Sequence, residues 1–349
     1  MDDATRTPDR LGAVRPRRRT PWRVYLALIG AALLWGSLYP AAKPAVSASG
    51  PIQVTFCRVL LACLCLSSLV LLRSGPSLLL QQLRTHWRAI GVLGLCTFAV
   101  SQILAMLALE YLPASVNGLL NNTHPLWVAI GTALFYPPRR PGLVVAGSII
   151  ALVGVGVIFL PDVVSDIGAG AQVLSPLGVA FSLAGSGVIA LGTALGRRIM
   201  PGSDPLAVSA LASGIAILPM TLLTLASGGF GSILEAPGET KLLLLYVGVG
   251  CTALNNWLWY YGLKHLSAAA ASAFQYMIPP MSVALAAIFL HEPLSVVLVL
   301  GTLCILVGLV TTQLGSTNAA ARSRAVAPAP GAPLAQPYPA RASDNGCDG

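Results

Sequence analysis

Laid over itself with a shift of 154 positions and no gaps, the chain repeats its own pattern. Leu109 falls on Leu263, Leu112 on Leu266, Ala114 on Ala268, Pro125 on Pro279, Ala133 on Ala287 and Phe135 on Phe289. The same register continues through Gly147/Gly301, Leu152/Leu306, Val153/Val307 and Gly154/Gly308. Composition does not produce a register that holds this long. The chain is an internal duplication, so the halves must share a fold.

The solvent follows from the scarcity of charge. With 55% hydrophobic residues, 9% charged residues and a mean hydropathy of +0.76, the chain cannot cover a soluble surface. It reads as a polytopic membrane protein. The formal charge of +9 lies in short loops and tails, which makes membrane lipids rather than nucleic acid its partner. Cys57, Cys63, Cys65, Cys96, Cys251 and Cys304 sit inside apolar runs and Cys347 in the tail. They read as packing or lipid-facing thiols, not disulfides or metal ligands.

Residues 1–23 carry Arg6, Arg10, Arg15, Arg17, Arg18 and Arg19 and are expected to form a disordered basic arm. The first apolar run is long enough to span and no small-residue cleavage site follows it, which argues against a signal peptide. About 20 apolar residues cross the hydrocarbon core, and that rule yields ten helices at 24–42, 52–72, 89–109, 115–135, 142–160, 176–196, 205–227, 241–262, 268–290 and 295–314. The expected fold class is therefore an all-α integral membrane protein. Five helices fall in a first repeat, 24–160, and five in a second, 176–314. Residues 315–349, rich in Ala and Pro, have little to bury and are expected to be a disordered tail.

Loop charges supply an independent check. With a cytoplasmic N-terminus, the inner segments hold the basic arm, then Arg73, Arg84 and Arg88, Arg139 and Arg140, Arg197 and Arg198, Lys264, and finally Arg322, Arg324 and Arg341. The outer ones are left with Lys43, Lys241, Asp162, Asp166, Glu235, Glu239 and Glu292. Every loop obeys the positive-inside rule. Because each repeat has an odd number of helices, the second enters the membrane from the opposite side. Two inverted repeats are the mark of secondary transporters.

The residues also resemble a family. Trp35-Gly36 followed by Lys43, Arg58 early in the second helix, ALEYLPASVNGLL, GLKHLSAAAASAFQYMIPP, LHEPL and the closing GTLCILVGLV look like the drug/metabolite transporter superfamily. The chain is most similar to its EamA-type ten-helix exporters, over about residues 26–314. The resemblance implies a carrier that moves amino acids or other small metabolites, usually outward, across a bacterial inner membrane, with both termini cytoplasmic. There is one departure: Tyr136-Pro137-Pro138-Arg139 stands where the second repeat has Leu290-His291-Glu292-Pro293, so the acidic residue after the fourth helix is missing.

Inverted repeats place a substrate near the midplane between the halves, where polar groups are costly unless they face a cavity or a partner. The duplication pairs Gln102 with Asn256, Asn121 with Gln275 and Asn122 with Tyr276. Asn117, Asn121 and His124 fall at i, i+4 and i+7, one face of a continuous helix. Trp35, Tyr39, Trp259 and Tyr260 would supply apolar walls. The competing interpretation of these amides is hydrogen-bonded glue between helices. Of the two basic residues placed in or near the hydrocarbon, Lys43 is assigned to substrate, just after Pro40, which can open the first helix. Arg58 is assigned to snorkelling at a membrane interface. His124 is either a proton switch or a neutral partner of Asn121 or Asn122.

Two rival classes stay open, an intramembrane enzyme and a non-transporting membrane protein. The Ala184-Gly185-Ser186-Gly187 turn resembles a serine nucleophile motif but lacks its first glycine. The sequence calls for no cofactor, no metal and no nucleic acid. It leaves a homodimer open, and the expected ligand is a small amino acid or metabolite.

Overall fold

A computed structural model describes residues 21–135, 140–165, 175–196, 203–266, 271 and 273–316. Residues 1–20 and 317–349, on which most of the expected arm and tail fall, lie outside the described residues. The described residues form helices joined by short turns, with no strand among them. Its elements are α1 Trp22–Gly36, α2 Leu38–Ser49, α3 Pro51–Leu93, a π-helical segment Gly94–Val100, α4 Ser101–Tyr111, α5 Ala114–Asn121, α6 His124–Phe135 and α7 Pro141–Ser165. The second half holds α8 Pro176–Gly196, α9 Pro205–Ala226, α10 Gly231–Leu234, α11 Gly238–Leu245, a π-helical segment Tyr246–Leu254, α12 Asn255–His265, a 3-10 turn Ala273–Met277, α13 Ile278–Leu290 and α14 Val296–Ser316.

Eight segments among the described residues are long and apolar enough to cross a membrane, and the protein is an all-α membrane protein. Two features separate this number from the ten expected. The expected spans 52–72 and 89–109 belong to one helical run, Pro51–Tyr111, of 61 residues. At 1.5 Å per residue such a run would measure about 90 Å, some three times the hydrocarbon thickness, if it were straight. It is not straight: Gly75 adopts φ 72, ψ 176 and His86 also leaves helical geometry, and α3 packs back on α4. The left-handed φ at Gly75 is open to glycine without strain. The second feature is a break. The expected span 115–135 is divided at Asn122 and Thr123 into α5 and α6, each too short to cross alone.

The duplication is visible in the backbone. Shifting the first half by 154 places Trp22 on Pro176, Pro51 on Pro205, Ser101 on Asn255 and His124 on Ile278, each the first residue of a helix. The π-helical segment Gly94–Val100 falls inside Tyr246–Leu254, and the break after α5 falls on the 3-10 turn before α13. The packing obeys the same operation. α1 packs on α12 as α8 packs on α4, and α3 pairs with α9, α5 with α13 and α7 with α14. Every one of these contacts joins the two halves.

Glycines set the closest of them. A Cβ on Gly154 would stand 2.8 Å from Cys304 Cβ and 2.9 Å from the Gly301 carbonyl, and one on Gly308 would stand 2.6 Å from the Gly147 carbonyl. Without side chains at these positions α7 and α14 approach to backbone contact, the small-residue packing that membrane helices favour. On the far face of α14, Val299, Leu300, Leu303, Val307, Val310 and Leu314 are exposed. That stripe recurs at helical spacing and suits lipid.

Candidate functional site

The first helix opens where proline dictates. Pro40 cannot donate to the carbonyl four residues back, Gly36, and the helix divides at Ser37, with α1 before it and α2 after it. The break therefore falls three residues before the proline expected to cause it. It frees Ser37 to donate to the Leu34 carbonyl at 3.0 Å and to share a 2.6 Å bond with the Tyr246 hydroxyl. Cys251 Sγ lies 3.6 Å from the same oxygen.

Beside this break sits Arg58, only 5% exposed. Its Nε donates to Thr252 Oγ1 at 2.8 Å and its Nη1 to Gln102 Oε1. Gln102 Nε2 in turn donates to the Thr97 carbonyl at 2.9 Å, five residues back, and Thr252 Oγ1 donates to the Val247 carbonyl, also five back, at 2.9 Å. The second π-helical segment thus gives the guanidinium Thr252, and the first holds, through the Thr97 carbonyl, the Gln102 side chain that meets it from the start of α4. Asn256 joins through the backbone, donating to the Thr252 carbonyl at 2.8 Å. The snorkelling assigned to Arg58 is corrected by this burial, because the α3 turn carrying it is enclosed by α4 and the second half. Tyr39, 5% exposed, and Cys251 are the ionisable groups near enough to act on it.

Lys43 has other surroundings. Its ammonium donates to the carbonyls of Leu109 and, at 2.8 Å, Leu112, which closes the C-terminal end of α4 as cations do. Close by, the Glu292 carboxylate accepts from Ala114 N at 2.6 Å and Ser115 N at 2.9 Å. A residue of the second half thereby caps the N-terminus of α5 in the first. Of the two cations, Arg58 and not Lys43 lies in the network of π segments and helix break.

The aromatic residues divide. Trp35 and Trp259 meet with ring centroids 5.6 Å apart, but Tyr260 turns to α9, where its hydroxyl bonds Ser209 at 3.0 Å. Asn255, missed in the sequence, holds Trp35: with its amide turned to suit its neighbours it accepts from Trp35 Nε1 at 2.7 Å and donates to the Ala31 carbonyl at 2.9 Å. The available signal was its i, i+4 relation to Trp259.

A second polar cluster lies among α4, α5 and α8. Asn117 Nδ2 donates to the Ala105 carbonyl at 2.9 Å, while its Oδ1 is buried without a partner. Asn121 Nδ2 is also buried and unpartnered, as is Ser282 Oγ. Asn122 donates to the Gly118 carbonyl at 2.6 Å. His124 begins α6, beyond the break, so it does not share a continuous helical face with Asn117 and Asn121 as the i, i+7 spacing predicts; its ring bonds the Asn121 backbone. Gln275 and Tyr276 are half-buried in the 3-10 turn, with Tyr276 against the core of α5, α7 and α14. Tyr39 bridges the two clusters, since a Cβ on Gly118 would stand 3.3 Å from its ring and 3.0 Å from Ser282 Cβ.

Buried groups without partners are costly, by about 1–3 kcal/mol each, and they gather where a polar ligand or a second packing would satisfy them. The model of the EamA-like transporter family matches this chain twice, over residues 22–160 and 176–313. An uncharacterized transporter of Bacillus subtilis, YvbV, is 28% identical over 303 residues, covering 86% of this chain and 95% of its own. A probable terminal-alkyne amino-acid exporter of Streptantibioticus cattleyicolor is 24% identical over 269 residues, covering 76% and 85%. A solved crystal structure superposes with a TM-score of 0.58 at 21% identity, covering 85% of this chain and 98% of that one. At that identity the likeness is one of fold.

Proposed function

Because the chain belongs to the EamA-like transporter family, we propose that it is a secondary carrier that moves amino acids or related small metabolites outward across the inner membrane, with ten spans in two inverted repeats and both termini cytoplasmic. The observation that carries this reading is the meeting of two π-helical segments and two helix breaks on buried polar groups between the halves. Irregular backbone at membrane depth persists only where protein or a water-filled path surrounds it, and in inverted-repeat carriers broken helices mark the substrate site. The relative described as an amino-acid exporter supports the substrate class and direction. Ser186, which an enzymatic reading would need as a nucleophile, shares its hydroxyl with Thr123 at 3.1 Å, which favours packing over catalysis.

In this reading Gln102, Asn121, Asn256 and Gln275 present hydrogen-bonding groups to a solute passing between the repeats, with Trp35 and Trp259 as its apolar wall. Alternating access follows from rocking one repeat against the other around that point. The test is counterflow in proteoliposomes with single changes of the four amides to Leu, which hydrocarbon tolerates better than an amide. Exchange of chemically unchanged solute by the wild type, and its loss in the variants with normal amounts of folded protein, is the expected result. Normal exchange by all four variants would refute the site. The proposed sidedness is checked at Cys347, which should resist a membrane-impermeant thiol reagent in intact cells.

A further inference from the structure

We propose that Arg58 is the receptor for a single negative charge on the transported solute, so that the carrier selects monocarboxylates with an apolar body. The proposal rests on the carrier reading and names the chemistry of its site. Two of the five guanidinium N–H groups find acceptors, both neutral: the Thr252 hydroxyl and the Gln102 amide oxygen. Among the described residues no carboxylate pairs with Arg58, and the ionisable groups acting on it are Tyr39 and Cys251. A cation taken out of water is expensive unless an opposite charge meets it. As a tie between helices a neutral side chain would serve at lower cost.

The neighbours also fit a carboxylate. A guanidinium offers a planar fork that takes two carboxylate oxygens at once, and the two bonds already made fix its orientation. Gln102 and Asn256, related by the duplication, flank it through the Gln102 oxygen and through Thr252. Asn255, Asn256 and Trp259 follow on one side of α12 by spacing (i, i+1, i+4), which leads from the cation to the paired indoles, an apolar wall for the rest of the solute. The charge count is one. The position that duplicates Arg58 is Ala212, buried in α9, and Lys43 is engaged with the end of α4. One uncompensated cation matches one carboxylate, on a monoanion or on an amino-acid zwitterion whose ammonium meets neutral oxygens, and a second carboxylate would be left buried without a partner.

The test uses the full chain in proteoliposomes and a panel of apolar amino acids, each with its amide and with the amine that lacks the carboxyl group. The expected result is counterflow by the acids, with amides and amines about ten- to hundredfold weaker as competitors, the difference that a charge-assisted hydrogen-bonded pair makes. Arg58→Lys should keep the preference for acids at reduced affinity. Arg58→Gln, which can still bond Thr252, should bring acid and amide to equal strength. Amides or amines that compete with the wild type as well as acids overturn the assignment, as does a preserved acid preference in Arg58→Gln. Should Arg58→Gln fail to fold, the wild-type comparison and Arg58→Lys decide. Failure of the wild type to exchange any member of the panel overturns the carrier reading for amino acids instead, a separate outcome.

Discussion

The seam between α7 and α14 and the centre around Arg58 both join the two halves, yet they have diverged to opposite degrees. At the seam the contact glycines are duplicated: Gly147 answers Gly301 and Gly154 answers Gly308, and each meets backbone of the opposite helix. At the centre the backbone irregularities are duplicated and the side chains are not. Arg58 answers Ala212, Gln102 answers Asn256, Phe98 answers Thr252, and after the fourth helix of each half Pro138 answers Glu292. A symmetric seam requires only close fit, which two copies of one surface supply to each other. Under the carrier reading the centre would meet a solute with two different ends, which a pocket of two identical halves could not tell apart.

Breaking the seam should have the larger effect. Gly308→Val puts branches into a space where even Cβ would stand 2.6 Å from the Gly147 carbonyl, and overpacking of about 1–3 kcal/mol or more in the contact joining the halves should cost most of the folded protein. Thermal unfolding in detergent measures this. Gly156→Val is the control, since nothing lies within 4 Å of a Cβ there, and its midpoint should not move. Equal losses from the two changes would deny the seam its role.

The capping pair at the α4–α5 junction should give the intermediate effect. Glu292→Gln keeps one acceptor for Ala114 N and Ser115 N and removes the charge. It should cost about 1–2 kcal/mol of stability, the range of a charged N-cap with its dipole contribution. Lys43→Met should be smaller, about 1 kcal/mol, from the loss of the α4 carbonyl contacts. Its effect on transport should be the same for an acid and its amide, in contrast to Arg58. A selective loss of acids in Lys43→Met would return the substrate charge to Lys43 and erase the distinction between junction and centre.

The membrane class, the duplication and most spans were legible in the sequence because they are written in local runs and in one register. The exceptions have a common cause. The break at Asn122 and Thr123 lies in the short polar run Asn121–His124, which a window of spanning length averages into the apolar residues on either side. The depth of Arg58 is not a property of its own helix: its position near the α3 start looks interfacial until α4 and the second half close over it. Glu292 was visible as an acid missing from the first repeat, but its partners, Ala114 N and Ser115 N, lie 178 and 177 residues away. No short-range pattern reports such a bond.

The Glu292 cap has a consequence for populations. If the repeats are inverted and alternate as proposed above, the inward-open and outward-open arrangements exchange the roles of the halves, so a perfectly duplicated chain would hold them at equal energy. An acid that ties α5 at one junction, with proline at the duplicate position, lifts that degeneracy. About 1.4 kcal/mol of difference holds one arrangement ten times as often as the other before any solute binds. Under the carrier reading proposed above, the empty protein would then favour facing one compartment, with Glu292 among the unduplicated residues that set which.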